Sequence, residues 1–164
     1  MIIKIIFIIF VVIVLIVIIN DLINYYKKHK KINISFREAI DLVGLPIITF
    51  YNEGKKFNFL LDTGATISVI DSNILNDFSH EKLEKDGILF GMEGHKIDVS
   101  YIKADLVYKD KIYKEEFQVV DMSAPFNEIK AESGVKLSGI LGNIFFTNYK
   151  YVLDFNSLIA YSSK

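Results

Sequence analysis

From Ile2 to Ile19 the chain reads IIKIIFIIFVVIVLIVII, and only Lys4 interrupts the apolar run. As a helix these residues span roughly 27 Å, close to the thickness of a bilayer core. No domain of this size has an interior to bury such a segment, since it is apolar on every side. Lys4 sits near the end, where its stem reaches the headgroup level. The following NDLINYYKKHKK has no small-x-small cleavage site, so the run reads as an uncleaved anchor and not as a signal peptide. The segment therefore predicts a transmembrane helix over 1–23, with the lipid bilayer as a partner. Lys27, Lys28, Lys30 and Lys31 follow it and only Lys4 precedes it. That asymmetry predicts a single-pass protein whose C-terminal part is cytoplasmic.

The remaining residues carry a different pattern. Residues 24–44 form a basic linker with a short helix. Ser35-Phe36-Arg37-Glu38 has the spacing of a capping box, and Gly44 and Pro46 end the segment. Beyond it, LPIITFY (45–51), KKFNFLLD (55–62) and ATISVI (65–70) read as strands, with Asn52-Glu53-Gly54 as a turn. Asp71 or Ser72 caps a short helical turn in DSNILNDF. HKIDVSYIKADLVY and IYKEEFQVVD flank a Lys109-Asp110 turn, and IFFTNY, YVLDF and LIAY close the chain. The polar stretch 123–138 reads as a long loop. Many short strands with regular turns predict a mainly β, closed-barrel domain over 45–164.

Charge narrows the function. Lys plus Arg total 19 and Asp plus Glu 20, a net charge of -1, which gives no basic surface for nucleic acid. With no cysteine there are no disulfides, thiol nucleophiles or thiolate-held metals. His29 belongs to the basic linker, and His80 and His95 are isolated with no third ligand spaced near either, so no metal site is expected. Glu81, Lys82, Glu84 and Lys85 read as a solvated face or loop. Asp154, in VLDFN, ends a strand and starts a turn.

LLDTGATISVID, residues 60–71, is the exception to this plain chemistry. Asp62 closes an apolar strand, where a carboxylate stays only with hydrogen bonds or a task. Gly64 permits a tight turn with inward backbone N–H groups. Leu60-Leu61-Asp62-Thr63-Gly64-Ala65-Thr66 resembles the active-site signature of the retroviral-type (retropepsin-like) aspartic proteases. Ile140-Leu141-Gly142, preceded by Gly139, resembles the second element of that family. Gly91-Met92-Glu93-Gly94 stands where the family has a flap hairpin, and the resemblance covers 45–161.

The resemblance implies an aspartic endopeptidase with no cofactor. Asp62 is the catalytic carboxylate; one per chain implies a homodimer in which two copies share a proton. Thr63 braces the loops across the dimer, Gly64 holds the carboxylate by its backbone, and Ala65, Ile140, Leu141 and Gly142 support the loop. Gly91, Met92, Glu93 and Gly94 form the substrate-binding flap, which closes over a peptide or protein near the membrane. Ala65 replaces the serine of many pepsin-like enzymes and implies a less acidic optimum. Asn143 follows Gly142 directly, so the arginine of the viral enzymes, which braces their dimer, is missing. The alternatives are a catalytically silent peptide-binding or dimerisation module of the same fold, and a structural membrane protein.

Overall fold

A computed structural model of the chain describes residues 13–21, 34–90 and 96–163. The chain divides into two compact units, Met1–Lys31 and Ile32–Lys164. In the first, residues 13–21 are helical, and Ile13 to Ile19 are each between 39% and 55% exposed. Among the described residues no helix is long and apolar enough to cross a membrane. The rest of the expected anchor and residues 24–33 of the linker lie outside the described residues.

The second unit opens with α1 (Phe36–Val43). Its capping box forms as expected: the Glu38 N–H donates to the Ser35 hydroxyl, and the Ser35 N–H donates to the Glu38 carboxylate at 3.1 Å. Gly44 ends the helix in the left-handed conformation, φ 71°. Phe36 and Ala39 are buried, so α1 is packed into this unit.

Among the described residues nine strands follow: β1 (Ile47–Asn52), β2 (Lys55–Leu61), β3 (Ser68–Asp71), β4 (Glu81–Phe90), β5 (Lys96–Tyr108), β6 (Lys111–Val120), β7 (Gly139–Leu141), β8 (Tyr151–Asp154) and β9 (Ile159–Ser162). The β1–β2 turn has positive φ at both Glu53 and Gly54, as a two-residue hairpin of this hand requires. The sheet runs β1-β2-β7-β3-β6-β5, and β1 also meets β5 through Tyr51 and Val107. Those six strands therefore form a closed ring. β4 lies outside the ring, paired with β5, and presents Glu81, Lys82, Glu84 and Lys85 to solvent. β8 and β9 form a hairpin of their own.

Alternation along the strands fills the ring. Phe50, Phe59, Phe117 and Phe145 are wholly buried. Phe50 meets Phe59, Tyr113 and Phe145 edge-on, and Phe78 does the same to Phe57. Aromatic pairs in this geometry add about 0.5–1.5 kcal/mol each beyond their buried area.

Three expectations need correction. The loop expected over 123–138 holds a helix, α2 (Ser123–Ser133). Pro125 falls in its first turn, where no intrahelical N–H is needed, and Gly134 ends it at φ 75°. Met122, Phe126, Ile129 and Ser133 supply an inward stripe at helical spacing, narrow enough to be hidden by the polar residues around it. IFFTNY is likewise not a strand but the body of α3 (Asn143–Tyr149). Phe145, Phe146 and Tyr149 turn inward while Thr147 and Asn148 between them are exposed, the period of a helix and not of a strand. In the third case, ATISVI becomes a strand only from Ser68; residues 62–67 make the turn described next. The 3-10 turn Ser72–Asp77, by contrast, is capped by Asp71 as the sequence predicts.

Candidate active site

β7 is short, but it lies between two strands that matter. It runs parallel to β2, with Leu60 beside Ile140 and Leu61 beside Leu141. On its other side it runs antiparallel to β3, with Val69 beside Ile140. β2 leads into the Asp62 turn and β3 leads out of it. Residues 139–141 thus hold both ends of the loop that carries Asp62.

The loop itself is fixed mainly by backbone hydrogen bonds. The Asp62 N–H donates to the Leu141 carbonyl at 3.0 Å, continuing the ladder past the end of β2. The Ala65 N–H donates to the Asp62 carbonyl at 3.3 Å, which closes the turn. Across the loop, the Asn143 N–H donates to the Ala65 carbonyl at 2.7 Å and the Ile144 N–H to the Thr66 carbonyl at 3.3 Å. The first turn of α3 therefore completes the clasp begun by β7. The Gly64 N–H donates to Asp62 Oδ1 at 2.8 Å, so the backbone aims the carboxylate. Asp62 is half-buried, and Thr63 and Gly64 beside it are exposed.

Gly142 and Gly139 are there for closeness. A Cβ on Gly139 would lie 2.5 Å from the Val69 carbonyl oxygen, and one on Gly142 would lie 2.5 Å from that of Ile67. No side chain fits at either point.

The structure thus brings together Asp62, Thr63, Gly64, Ala65, Ile140, Leu141 and Gly142. Gly91, Met92, Glu93 and Gly94 lie outside the described residues; β4 and β5 pair out to Phe90 and Lys96 on either side of them. Among the described residues no group of three or more His, Asp or Glu side chains is placed to hold a metal ion.

Two buried polar residues under the loop escaped the sequence analysis. Ser68 is wholly buried; its Oγ accepts the Gly142 N–H at 3.0 Å and donates to Glu115 Oε1 at 2.6 Å. Glu115 is 2% exposed. Burial, with the neighbouring Glu116 charge adding, pushes its carboxyl up to about 7, against the opposing pull of the Ser68 hydrogen bond. A signal was available: alternation from Tyr113 through Phe117 puts Glu115 on the inward face of β6.

The arrangement has counterparts. Among solved structures, the chain is similar to the EIAV protease complexed with the inhibitor HBY-793. Identity is 19% and TM-score 0.50, covering 68% of this chain and 93% of that one. It is also similar to the retroviral protease-like domain of Ddi1 from Leishmania major, at 10% identity and TM-score 0.55, covering 73% and 89%. At such identities the likeness carries the fold alone: a mainly β, retropepsin-like barrel. No curated protein sequence matches the chain. The family model for retroviral aspartyl protease matches residues 44–153, well over half of the chain. That span takes in the Asp62 turn, β7 and the first turn of α3, and the chain belongs to the retroviral aspartyl protease family.

Proposed function

We propose that the protein is a membrane-anchored aspartic endopeptidase, active as a homodimer. One observation carries this reading. A half-buried aspartate is held in a turn clasped on both sides by β7 and α3, next to exposed Thr63 and Gly64. A structural carboxylate would not need a loop held this closely beside an open face.

Each chain supplies one Asp62, so catalysis requires two copies facing each other across a two-fold axis. One carboxylate takes a proton from water, and the water oxygen bonds to the peptide carbonyl carbon. The partner subunit's Asp62 gives its proton to the carbonyl oxygen, forming a tetrahedral diol. The diol then collapses: the nitrogen takes the proton that the first carboxylate received from water, the C–N bond breaks, and a diol hydroxyl returns its proton to the partner subunit's Asp62 as the carbonyl re-forms. Thr63, exposed at the turn, meets its copy across the axis. Ile159 and Tyr161, 47% and 42% exposed on the same side of β9, give an apolar strip that suits a second copy. The connection holding Gly91, Met92, Glu93 and Gly94 covers the substrate.

The run from Ile2 to Ile19 is the anchor, and the lysines after it place the domain on the cytoplasmic side. Substrates are accordingly peptides or proteins near the bilayer.

The test uses the full-length chain in lipid nanodiscs, with Asp62 intact and with Asp62→Asn. Both are incubated with an unbiased peptide library from pH 4 to pH 8, and cleavage is read by mass spectrometry alongside molecular mass. Cleavage by the parent dimer and none by the variant dimer is the expected result. A folded parent dimer that cuts nothing would leave the peptide-binding module as the better account.

A further inference from the structure

Glu115 lies on the inward parity of β6 between Tyr113 and Phe117, where an apolar residue would be the cheaper occupant. Its carboxylate ends a chain of hydrogen bonds that begins at the active-site loop: Gly142 N–H to Ser68 Oγ, then Ser68 O–H to Glu115 Oε1. Gly142 stands between the two residues that clasp the loop. Leu141 accepts from Asp62, and Asn143 donates to Ala65. A shift of Gly142 therefore moves both bonds at once. We infer that Glu115 is a positioning residue for Asp62, acting through Ser68 on Gly142; the inference rests on reading Asp62 as the catalytic group.

A glutamate does here what a filler cannot. Ionised, it only accepts, so the Ser68 proton must point to it and a Ser68 lone pair is left for the Gly142 N–H. The bond is then charge-assisted, and a polarised hydroxyl oxygen is the better acceptor. Protonated, Glu115 can donate as well as accept, and the direction of the chain is no longer fixed. Burial places that change near neutrality.

The ionisable groups around Glu115 come from every neighbouring element. Lys114 and Glu116 flank it on β6 and Tyr113 shares its inward face, Tyr101 and Lys103 come from β5, Lys85 from β4 and Tyr149 from α3. Lys85 pairs with Glu116 at 2.8 Å and lies over the Tyr101 ring, and the Tyr149 hydroxyl donates to the Lys114 carbonyl at 2.6 Å.

The experiment compares the full-length chain in nanodiscs with Glu115→Gln, Glu115→Leu and Ser68→Ala, using a peptide selected from the library. kcat and KM are measured from pH 5 to pH 9, and the Gly142 amide resonance is followed over the same range. Glu115→Leu and Ser68→Ala should lower kcat about tenfold or more, with KM within about twofold. Glu115→Gln, which keeps the shape but is neutral and able to donate at every pH, should hold the kcat of the parent's acid side and lose the limb of the pH profile near 7. In the parent the Gly142 amide shift should titrate with a midpoint near 7, and in Glu115→Gln it should not. If Glu115→Leu fails to fold, Glu115→Gln and the amide titration decide. Unchanged kcat in Glu115→Leu, a parental pH profile in Glu115→Gln or a flat Gly142 shift in the parent would each overturn the inference. A parent that cleaves nothing would refute the protease reading instead, and the amide titration would still decide whether Glu115 governs Gly142.

Discussion

A Cβ added to Gly142 would lie 2.5 Å from the carbonyl oxygen of Ile67 and 2.9 Å from that of Ala65. The backbone of Gly142 itself is unremarkable, with φ -92°. Its glycine is required for close approach and not for an unusual conformation. The turn that carries Asp62 and the segment after β7 touch backbone to backbone here, and that contact sets the height of Asp62.

Gly142→Ala follows directly. The obstacle is main chain on both sides, so the loop or α3 must shift to admit a methyl group. Overpacking of this kind costs about 1–3 kcal/mol. Because the shift falls on the Asn143–Ala65 hydrogen bond, activity should fall further than stability. The expected result is a lowered urea midpoint together with at least a tenfold loss of peptide cleavage. A variant with parental cleavage would show that Asp62 does not depend on this contact.

The clasp is also where sequence and structure meet most closely. Asp62-Thr63-Gly64 and Ile140-Leu141-Gly142 lie far apart in the chain, and apolar flanks ending in Asp or Gly mark both as strand ends. What the sequence conceals is the order β2-β7-β3, because pairing between strands distant in the chain leaves no local trace. α3 was hidden for another reason. Its aromatic residues favour strands intrinsically, and only packing against Phe50 and Tyr151 makes them helical. Glu115 was legible by parity but not by type, since a carboxylate at an inward position runs against the usual pattern.

Glu115 gives stability a pH dependence. Its carboxyl ionises near the ordinary value of 4.5 when unfolded and at about 7 when folded. Between those values the folded chain holds the proton more firmly than the unfolded chain does. Stability is therefore full below about 4.5, falls as pH rises through about 7, and is level above that. The loss is on the order of 3 kcal/mol for a shift of this size. Glu115→Gln should flatten that decline, seen as urea midpoints measured from pH 4 to pH 9. An equal decline in parent and variant would assign it to another group.

The pH optimum of cleavage is set partly by what Ala65 lacks. A serine at that position would offer a hydroxyl donor that favours an ionised Asp62. Without it, cleavage is expected to reach less acidic pH than in enzymes that carry the serine. Ala65→Ser should move the profile toward acid. A parental profile lying entirely below about pH 4, the range of a free aspartate, would contradict this reading.

Anchoring and dimerisation are expected to be linked. Two chains held in one bilayer meet at an effective concentration set by the membrane and not by the bulk volume. Residues 32–164 form a compact unit apart from 1–31, so the two forms can be compared. In solution, where half a site per chain must find its partner, specific activity of 32–164 should fall on dilution as dimer gives way to monomer. The full-length chain in vesicles, diluted at a fixed ratio of protein to lipid, should hold its specific activity over the same range. Added lipid, which spreads the chains over more membrane, should then lower it. Such a response to lipid, with none to bulk volume, would identify the anchor as the element that assembles the active site. Equal loss on dilution in both forms would mean that residues 1–31 contribute nothing to assembly.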